Sequence, residues 1–209
     1  MRQKLYVGFK QAIPDQKWYL VAGGSVREWA NRQFTFIGPI PSFTEKELPD
    51  RVEARRRLGV DDETKVILFS IGGTRAGKEL LDATGEVAKE IRKKFRKTKI
   101  LVAPGPRVNI KDQTSADVEV LEEPYTLYRV MAGVDCAVTL AGLSTITELM
   151  VLGIPAVLLP LKGHYEQEEN AETVASIRKN FLVADIGNTT PHKLAAYIKH
   201  LLNSPNQNP

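Results

Sequence analysis

The chain has 209 residues, of which 43% are hydrophobic and 26% charged, and its formal net charge is +4. This composition is typical of a soluble globular protein with a full core, and it predicts neither a transmembrane helix nor a signal peptide, because no run of about eighteen apolar residues and no apolar N-terminal segment is present. We therefore expect a cytoplasmic protein, with no disulfide because Cys136 is the single cysteine and no metal site because its three histidines are scattered.

The first sixty or so residues differ in pattern from the rest of the chain. Possible strands are predicted at residues 5–9, 18–21 and 34–37, without a matching long amphipathic helix. Prolines then punctuate a linker-like stretch from Pro39 to Pro49. We expect residues 1–45 to be an edge extension or the remnant of a preceding domain.

From Lys65 onward, short β-branched apolar runs alternate with helical patterns. Strands are predicted at residues 66–71, 100–103, 118–121, 136–140, 156–160 and 181–184. Helices are predicted at residues 77–95, 125–132, 144–152, 167–179 and 191–202. Continuously apolar strands joined by helices bury both faces, so the pattern predicts an α/β fold over residues 46–203: a doubly wound, Rossmann-like parallel sheet with helices on both faces.

Three features outside the loops have simple interpretations. Cys136 falls in a predicted apolar strand, so we expect a small buried hydrophobe rather than a nucleophile. The basic segment at residues 89–99 suits the end of a helix and its solvated face, with attraction of phosphate or anionic lipid as the alternative. Nucleic-acid binding is not expected, because no aromatic platform or recognition motif accompanies the charge. Residues 204–209 carry no apolar run, so we expect a disordered tail.

The first glycine-rich loop, Gly72–Gly77, follows a predicted strand and opens a predicted helix. Glycines let the backbone turn tightly and approach a ligand, and the free amides of a helix start attract anions. A plain βα turn is the equal alternative. The loop is neither a Walker A sequence nor a Gly-x-Gly-x-x-Gly fingerprint.

A second candidate anion site follows the strand predicted at residues 136–140. Residues 142–145 open a helix there, with Ser144 as the expected cap. Glu148, about one turn further on, has the reach to accept hydrogen bonds from two adjacent ribose hydroxyls. The alternative is a carboxylate that only favours the positive end of the helix.

A third polar group follows the strand predicted at residues 156–160. Glu166 and Gln167 together can accept from and donate to vicinal sugar hydroxyls, and Asn170 lies on nearly the same helix face as Gln167. His164 is either a phosphate or sugar contact or a solvent-facing residue. Because all three loops follow parallel strands at the edge where open α/β sheets bind ligands, their register favours one nucleotide-sized site.

These motifs resemble the C-terminal, donor-binding half of the GT-B glycosyltransferases. The resemblance covers about residues 34–202 and rests on Gly72-Gly73-x-x-Ala76-Gly77, Ala141–Glu148, Gly153-Ile154-Pro155-Ala156 and Glu166-Gln167-x-x-Asn170-Ala171. Within that fold the chain is most similar to the MurG family, which transfers N-acetylglucosamine (GlcNAc) from its UDP donor to a lipid-linked acceptor.

The resemblance implies that two loops hold the diphosphate of a UDP-sugar, and family analogy indicates UDP-GlcNAc. Gly72, Gly73 and Thr74 would lie near the diphosphate. The amides that hold its oxygens would be those of Gly142, Leu143, Ser144 and Thr145. Helix starts and loop amides stabilise a leaving diphosphate without a metal, so an inverting, metal-independent transfer with no cofactor is implied, in which the UDP-sugar is a substrate.

The resemblance assigns the remaining polar side chains to the ribose and the donor sugar. Glu148 would bind the ribose hydroxyls, and the sugar would be contacted by His164, Glu166, Gln167 and Asn170. The uracil would meet backbone and apolar groups somewhere within residues 123–127. No catalytic base is identified in this chain.

Two departures from the family pattern leave the donor sugar open. Bacterial members often carry Arg-Ser before the glycine matched by Gly142, whereas this chain has Leu140-Ala141, which removes one possible phosphate partner. Where those members have Gln-Gln, this chain has Glu166-Gln167, a pair also common in other GT-B enzymes.

The acceptor site belongs, by resemblance, to an N-terminal domain across the cleft. About forty residues are too few for such a domain, since one βαβ unit alone takes about thirty. We therefore expect a donor half that is catalytically incomplete alone and acts with a missing domain or a membrane-associated partner. Such a partner would hold it peripherally at the inner face of the membrane. The alternatives are a UDP-GlcNAc 2-epimerase-like enzyme and a non-catalytic nucleotide-sugar-binding partner protein.

Overall fold

The computed structural model describes residues 4–17, 24–72, 75–104, 118–121 and 127–204. Its strands are β1 (Leu5–Val7), β2 (Thr35–Gly38), β3 (Lys65–Gly72), β4 (Thr98–Pro104), β5 (Val118–Val120), β6 (Cys136–Thr139), β7 (Ala156–Leu158) and β8 (Phe181–Val183). Its helices are α1 (Val26–Gln33), α2 (Arg51–Arg57), α3 (Arg75–Arg92), α4 (Tyr128–Met131), α5 (Leu143–Val151), α6 (Tyr165–Ile177) and α7 (Pro191–Asn203). Two short 3-10 helices span Lys10–Ala12 and Glu45–Glu47.

Six strands form one parallel sheet in the order β5-β4-β3-β6-β7-β8. Leu68 of β3, for example, lies between Leu101 of β4 and Ala137 of β6, and each of these pairings is parallel. The remaining neighbours pair in the same sense. The predicted doubly wound, Rossmann-like sheet is therefore confirmed.

Alternate residues of the central strand belong to two separate hydrophobic cores. Ile67 and Phe69 pack with residues of α3 and α7, whereas Val66 and Leu68 pack with residues of α4, α5 and α6. Helices thus cover both faces, which is why the strands read as continuous apolar runs. Cys136 lies in the first core with no exposed surface, and burial raises the pKa of its thiol, as expected of a small core residue.

The basic segment at residues 89–99 is divided between the end of α3 and the turn that follows it. α3 ends at Arg92 rather than at the predicted residue 95. In the turn, the ammonium group of Lys97 lies 2.8 Å from a carboxylate oxygen of Asp61 and 2.7 Å from one of Glu63. These exposed ion pairs agree with the interpretation as a solvated surface.

β1, α1 and β2 form a small βαβ unit in the N-terminal part of the chain. β1 and β2 pair in parallel, with Tyr6 opposite Phe36 and their ring centroids 5.1 Å apart. The strand patterns at residues 5–9 and 34–37 predicted both strands but not the helix between them. A capping box starts that helix, with the amide of Glu28 donating to Ser25 Oγ (3.1 Å) and the amide of Ser25 donating to Glu28 Oε2 (2.8 Å), and this Ser-x-x-Glu pattern was the signal available in the sequence.

The stretch predicted as a linker packs against the Rossmann-like domain. Phe43 is buried, and its ring lies 5.8 Å from that of Tyr128 on α4. Further on, Arg55 of α2 is buried with its guanidinium 3.3 Å from the carboxylate of Asp135, which also accepts the amide of Val66. The segment after β2 is therefore held to the domain at more than one point.

Several predicted features lie outside the described residues, namely the possible strand at residues 18–21, most of the uracil segment at residues 123–127, two residues of the first glycine-rich loop and the tail beyond Ser204. Among the helices that the structure does describe, none combines the length and the hydropathy that crossing a bilayer requires.

Candidate functional site

The strand order creates a switch point at the carboxyl edge of the sheet. After β3 the chain adds β4 and β5 on one side, and then β6 on the other side of β3. Open α/β sheets bind ligands in the crevice outside such a point, because the loops on its two sides diverge. β7 lies next to β6, so the loops after β3, β6 and β7 follow three adjacent strands about 4.8 Å apart.

The first loop of the site begins at Gly72, the last residue of β3. The pairing of β3 with β4 shifts register between Ser70 and Gly72, which lies opposite Pro104. A helix follows the glycine loop as predicted, but α3 begins at Arg75, two residues before the predicted start, so residues 75–77 of the predicted loop belong to the helix. Gly73 and Thr74 lie outside the described residues, and their assignment to the diphosphate stays a prediction.

The second loop, from Leu140 to Gly142, joins β6 to α5 through a strained residue. Ala141 is fully buried at φ +62°, and within the described part of the chain no other non-glycine residue has a positive φ. This left-handed conformation costs a residue with a Cβ about 1–2 kcal/mol. Such strain is concentrated at ligand-binding sites, where the surrounding structure enforces it.

Gly142, and not Ser144, is the N-cap of α5. Gly142 has φ −65° and ψ 136°, no side chain caps the helix, and the helix begins at Leu143. The prediction that Ser144 is the cap was wrong, because the residue in extended conformation comes two positions earlier. As a result, the first amides of α5, those of Leu143, Ser144 and Thr145, have no partner within the helix. These are the amides that the resemblance assigns to the diphosphate.

Glu148 is a buried carboxylate on α5, with 8% of its surface exposed. Its Oε1 accepts a hydrogen bond from the hydroxyl of Ser42 at 2.5 Å. Burial raises the pKa of Glu148, and the hydrogen bond from Ser42 partly opposes this rise. A desolvated carboxylate with a fixed orientation is suited to accept hydrogen bonds from a polar ligand.

The third loop, after β7, is fastened by side chains from the first turn of α6. The amide of Leu161 donates to Gln167 Oε1 at 3.0 Å, and the amide of Gly163 donates to Glu168 Oε1 at 2.9 Å. The helix begins at Tyr165, before the predicted start. Because the loop engages the carbonyl oxygen of Gln167, its amide nitrogen is the part of the side chain that remains for a ligand.

The four predicted sugar contacts differ in exposure. His164 and Glu166 are exposed, Gln167 is half-buried, and Asn170 is only 1% exposed. Asn170 Nδ2 is buried without a hydrogen-bond partner in the structure, and such orphaned donors are uncommon unless a ligand or water completes them. Gln167 and Asn170 therefore lie further inside than Glu166, although all are on α6.

Ser42 and Glu168 are polar residues of this region that the sequence patterns did not single out. Glu168 sits one position beyond the predicted Glu-Gln pair. For Ser42 the available signal was its place within the stretch from Pro39 to Pro49 that leads into the Rossmann-like domain.

The motif Gly153-Ile154-Pro155 lies at the opposite edge of the sheet, between the end of α5 and the start of β7. Gly153 has φ +66°, the conformation in which glycine ends a helix. A cavity of about 580 Å³ opens there, lined among others by Arg51, Lys65 and Asp135. This part of the resemblance is structural and contributes no group to the carboxyl edge.

In the part of the chain that the structure describes, no three side chains of the types that ligate metals come close enough together to hold an ion.

The C-terminal domain of glycosyltransferase family 28 matches residues 67–209 of the sequence. An uncharacterized glycosyltransferase of Methanopyrus kandleri is 27% identical over 142 residues, which are 68% of this chain and 40% of the relative. A UDP-N-acetylglucosamine–N-acetylmuramyl-(pentapeptide) pyrophosphoryl-undecaprenol N-acetylglucosamine transferase of Rhodococcus erythropolis is 30% identical over 191 residues, which are 87% of this chain and 48% of the relative. The chain spans less than half the length of these relatives.

Solved structures show the same fold. The glycotransferase of kitacinnamycin superimposes with a TM-score of 0.61 at 25% identity, over 84% of this chain and 42% of that one. MurG of Acinetobacter baumannii superimposes with a TM-score of 0.56 at 19% identity, over 87% of this chain and 55% of that one. The architecture is that of the donor-binding half of a GT-B glycosyltransferase, and since the family match extends over more than half of its length, the chain belongs to glycosyltransferase family 28.

Proposed function

We propose that the chain binds the UDP-sugar donor of a glycosyl transfer, UDP-GlcNAc, at the carboxyl edge of its sheet. The observation that carries this proposal is the switch point between β3 and β6, where the uncapped start of α5 and the buried carboxylate of Glu148 come from one short segment. The relative from Rhodococcus erythropolis is named for the use of UDP-N-acetylglucosamine, which supports the choice of donor.

In the proposed complex, the diphosphate lies at the start of α5. Amides at a helix N-terminus together with the helix dipole favour an anion there, and the same groups stabilise the negative charge that develops on UDP as the sugar leaves. Gly72, Gly73 and Thr74 approach the diphosphate from the neighbouring loop. The transfer then needs no metal, because the charge on the leaving group is met by fixed dipoles.

The ribose and the sugar occupy the space on either side of the diphosphate. Glu148 accepts the hydrogen bonds of the ribose hydroxyls. The sugar lies against the start of α6. There Gln167 offers its amide nitrogen and Asn170 its unpartnered Nδ2. The carboxylate of Glu166 and the imidazole of His164 are exposed beside them.

Titration calorimetry of the whole chain with UDP and UDP-GlcNAc tests this proposal. We expect both ligands to bind, and UDP-GlcNAc to bind more tightly than UDP if the start of α6 contacts the sugar. Thymidine diphosphate serves as the comparison, because it lacks the 2′-hydroxyl. Absence of heat with both uridine ligands at millimolar concentration would overturn the donor assignment.

We further propose that a second domain covers the small N-terminal sheet and supplies the acceptor site. Leu5 and Val7 of β1 and Ile37 of β2 lie on one face of the β1–β2 pair and are 54%, 48% and 44% exposed. Parallel sheets occur almost only with both faces covered, and a two-stranded sheet is marginal by itself. The matched relatives are more than twice the length of the part they share with this chain, which supports an occupant of domain size. We propose that it is a second Rossmann-like domain, either in the same polypeptide or on a partner subunit.

A transfer assay with the chain alone tests this second proposal. We expect the chain to bind UDP-GlcNAc yet to transfer no GlcNAc to a lipid-linked acceptor presented in vesicles, because the acceptor and the general base are held elsewhere. A lipid-linked acceptor would place the complete assembly at a membrane surface. Transfer by the chain alone would contradict the proposal, and conversion of UDP-GlcNAc without any acceptor would instead favour an epimerase.

A further inference from the structure

Ser42 makes a hydrogen bond to the donor site from outside the Rossmann-like domain. Its hydroxyl donates to Glu148 Oε1 at 2.5 Å, across a sequence separation of 106 residues. Ser42 lies in the segment that joins β2 to α2, whereas Glu148 lies on α5. The contact therefore links the segment that enters the domain directly to the carboxylate proposed to bind ribose.

The segment that carries Ser42 is anchored by the two residues that follow it. Phe43, the next residue, is 6% exposed and packs against Tyr128 with the ring centroids 5.8 Å apart. The hydroxyl and the amide of Thr44 both donate to the carboxylate of Glu47, at 2.8 Å and 2.7 Å, which closes the following turn. The backbone next to Ser42 is thus anchored by contacts that do not involve Glu148.

We infer that Ser42 is a positioning residue for the donor site, which fixes the carboxylate of Glu148 in the orientation that receives the ribose hydroxyls. The inference rests on the proposed donor function. An ionised carboxylate only accepts hydrogen bonds and offers about four lone-pair sites on its two oxygens. Ser42 occupies one site on Oε1, so Oε2 and the remainder of Oε1 stay available for two adjacent hydroxyls.

The hydrogen bond also acts on the charge of Glu148. Burial raises the pKa of this carboxyl, and donation from Ser42 opposes the rise. Ser42 therefore favours the ionised form, the one that accepts hydrogen bonds at both oxygens. Removal of the hydroxyl leaves a buried carboxylate with one fewer donor and a freer side-chain torsion.

Binding of UDP to the variants Ser42→Ala and Ser42→Thr tests the inference. We expect Ser42→Ala to weaken UDP binding about fivefold, which corresponds to the net contribution of one hydrogen bond. Ser42→Thr should keep the affinity of the wild type, because it keeps the hydroxyl. Thr44→Ala is the matched control. It removes a hydroxyl from the same segment, but that hydroxyl donates to Glu47 rather than to Glu148. The affinity of this variant for UDP should equal that of the wild type.

Two further readouts separate positioning from a merely structural role. In a Glu148→Ala background, which leaves the Ser42 hydroxyl without its acceptor, Ser42→Ala should change UDP affinity less than twofold. In the wild-type background, Ser42→Ala should move the midpoint of the pH dependence of uridine binding upward, since uridine has no titrating phosphate and the pKa of Glu148 rises without its donor.

The outcomes distinguish this inference from the proposed function. Equal weakening by Ser42→Ala and Thr44→Ala, or the same weakening in the presence and absence of the Glu148 carboxylate, would show that the segment acts only through the fold and would overturn the inference. If Glu148→Gln weakens UDP binding and Ser42→Ala does not, the inference fails while the donor site stands. If the wild type binds no uridine ligand, the proposed function itself fails.

Discussion

Replacement of Glu148 by glutamine is expected to weaken UDP binding about 100-fold. Glu148 is 8% exposed, and its carboxylate already accepts one hydrogen bond from Ser42. The surrounding residues, rather than water, therefore set the orientation of its remaining lone pairs. Hydrogen bonds to a charged group contribute about 1.5–3 kcal/mol each, and an amide keeps only one of the two acceptor oxygens. Loss of about 2.7 kcal/mol corresponds to a hundredfold change in Kd, which calorimetry measures directly.

The specificity of this effect is checked with a second ligand and a second variant. For 2′-deoxy-UDP the penalty of Glu148→Gln should be about tenfold smaller, because one of the two hydroxyls is absent. Glu172→Gln removes an exposed carboxylate from α6 and should leave UDP binding unchanged. A penalty of the same size for UDP and its 2′-deoxy analogue would show that Glu148 does not contact the ribose.

Glu148→Gln should also differ from the wild type in the way its stability depends on pH. Burial raises the pKa of Glu148 in the folded protein, so over a window above about pH 4 the folded chain keeps a proton that the unfolded chain has lost. The stability contributed by this group is fully present below the unfolded pKa and is lost as the pH rises through the folded pKa. The glutamine in Glu148→Gln does not titrate. The urea concentration at the unfolding midpoint of this variant should therefore rise relative to that of the wild type as the pH is raised from 4 to 7.

The fold was predictable from the sequence because its main signal is local. Strands such as β3 and β6 contain continuous apolar runs, Val66–Phe69 and Cys136–Val138, because helices cover both faces of the sheet. Turn residues separate these runs from helices with one apolar stripe. The short helix α1 was missed because it has only eight residues, of which only Val26, Trp29 and Ala30 are apolar. Its capping box, which stabilises its first turn, was the sequence signal that a helix begins there.

For the site, the sequence could predict which loops form it but not the contacts that its side chains make. The place of residues 142–145 and of Glu148 follows from the strand that precedes them, whereas the contact between Ser42 and Glu148 depends on how two distant segments pack. Gln167 illustrates the same limit: its carbonyl oxygen bonds to the loop before α6, which a pattern of polar residues cannot show. Side-chain geometry of this kind is set by tertiary packing rather than by local spacing.

Replacement of Gly142 by aspartate is expected to weaken UDP binding by about 1000-fold while the fold stays intact. Gly142 is the N-cap of α5 at φ −65°, and a Cβ at this position meets no atom within 4 Å, so the larger residue fits without strain. An aspartate there accepts the amides of Ser144 or Thr145, which the proposed diphosphate requires. Two like unit charges about 4 Å apart also repel by about 4 kcal/mol at an effective dielectric of 20, which corresponds to about three orders of magnitude in affinity.

Uridine and the neutral variant Gly142→Asn separate these two causes. Uridine carries no phosphate, so its affinity for Gly142→Asp should stay within about twofold of the wild type; Gly142→Asn occupies the same amides without the charge and should weaken UDP binding by an intermediate amount. The stability of Gly142→Asp in urea should equal or exceed that of the wild type by a few tenths of a kcal/mol, because aspartate is a slightly better cap than glycine. Unchanged UDP binding would place the diphosphate elsewhere. If Gly142→Asp is more stable than the wild type and no longer binds UDP, the first amides of α5 serve a ligand in the native sequence. The native helix then forgoes the stability that a side-chain cap would add.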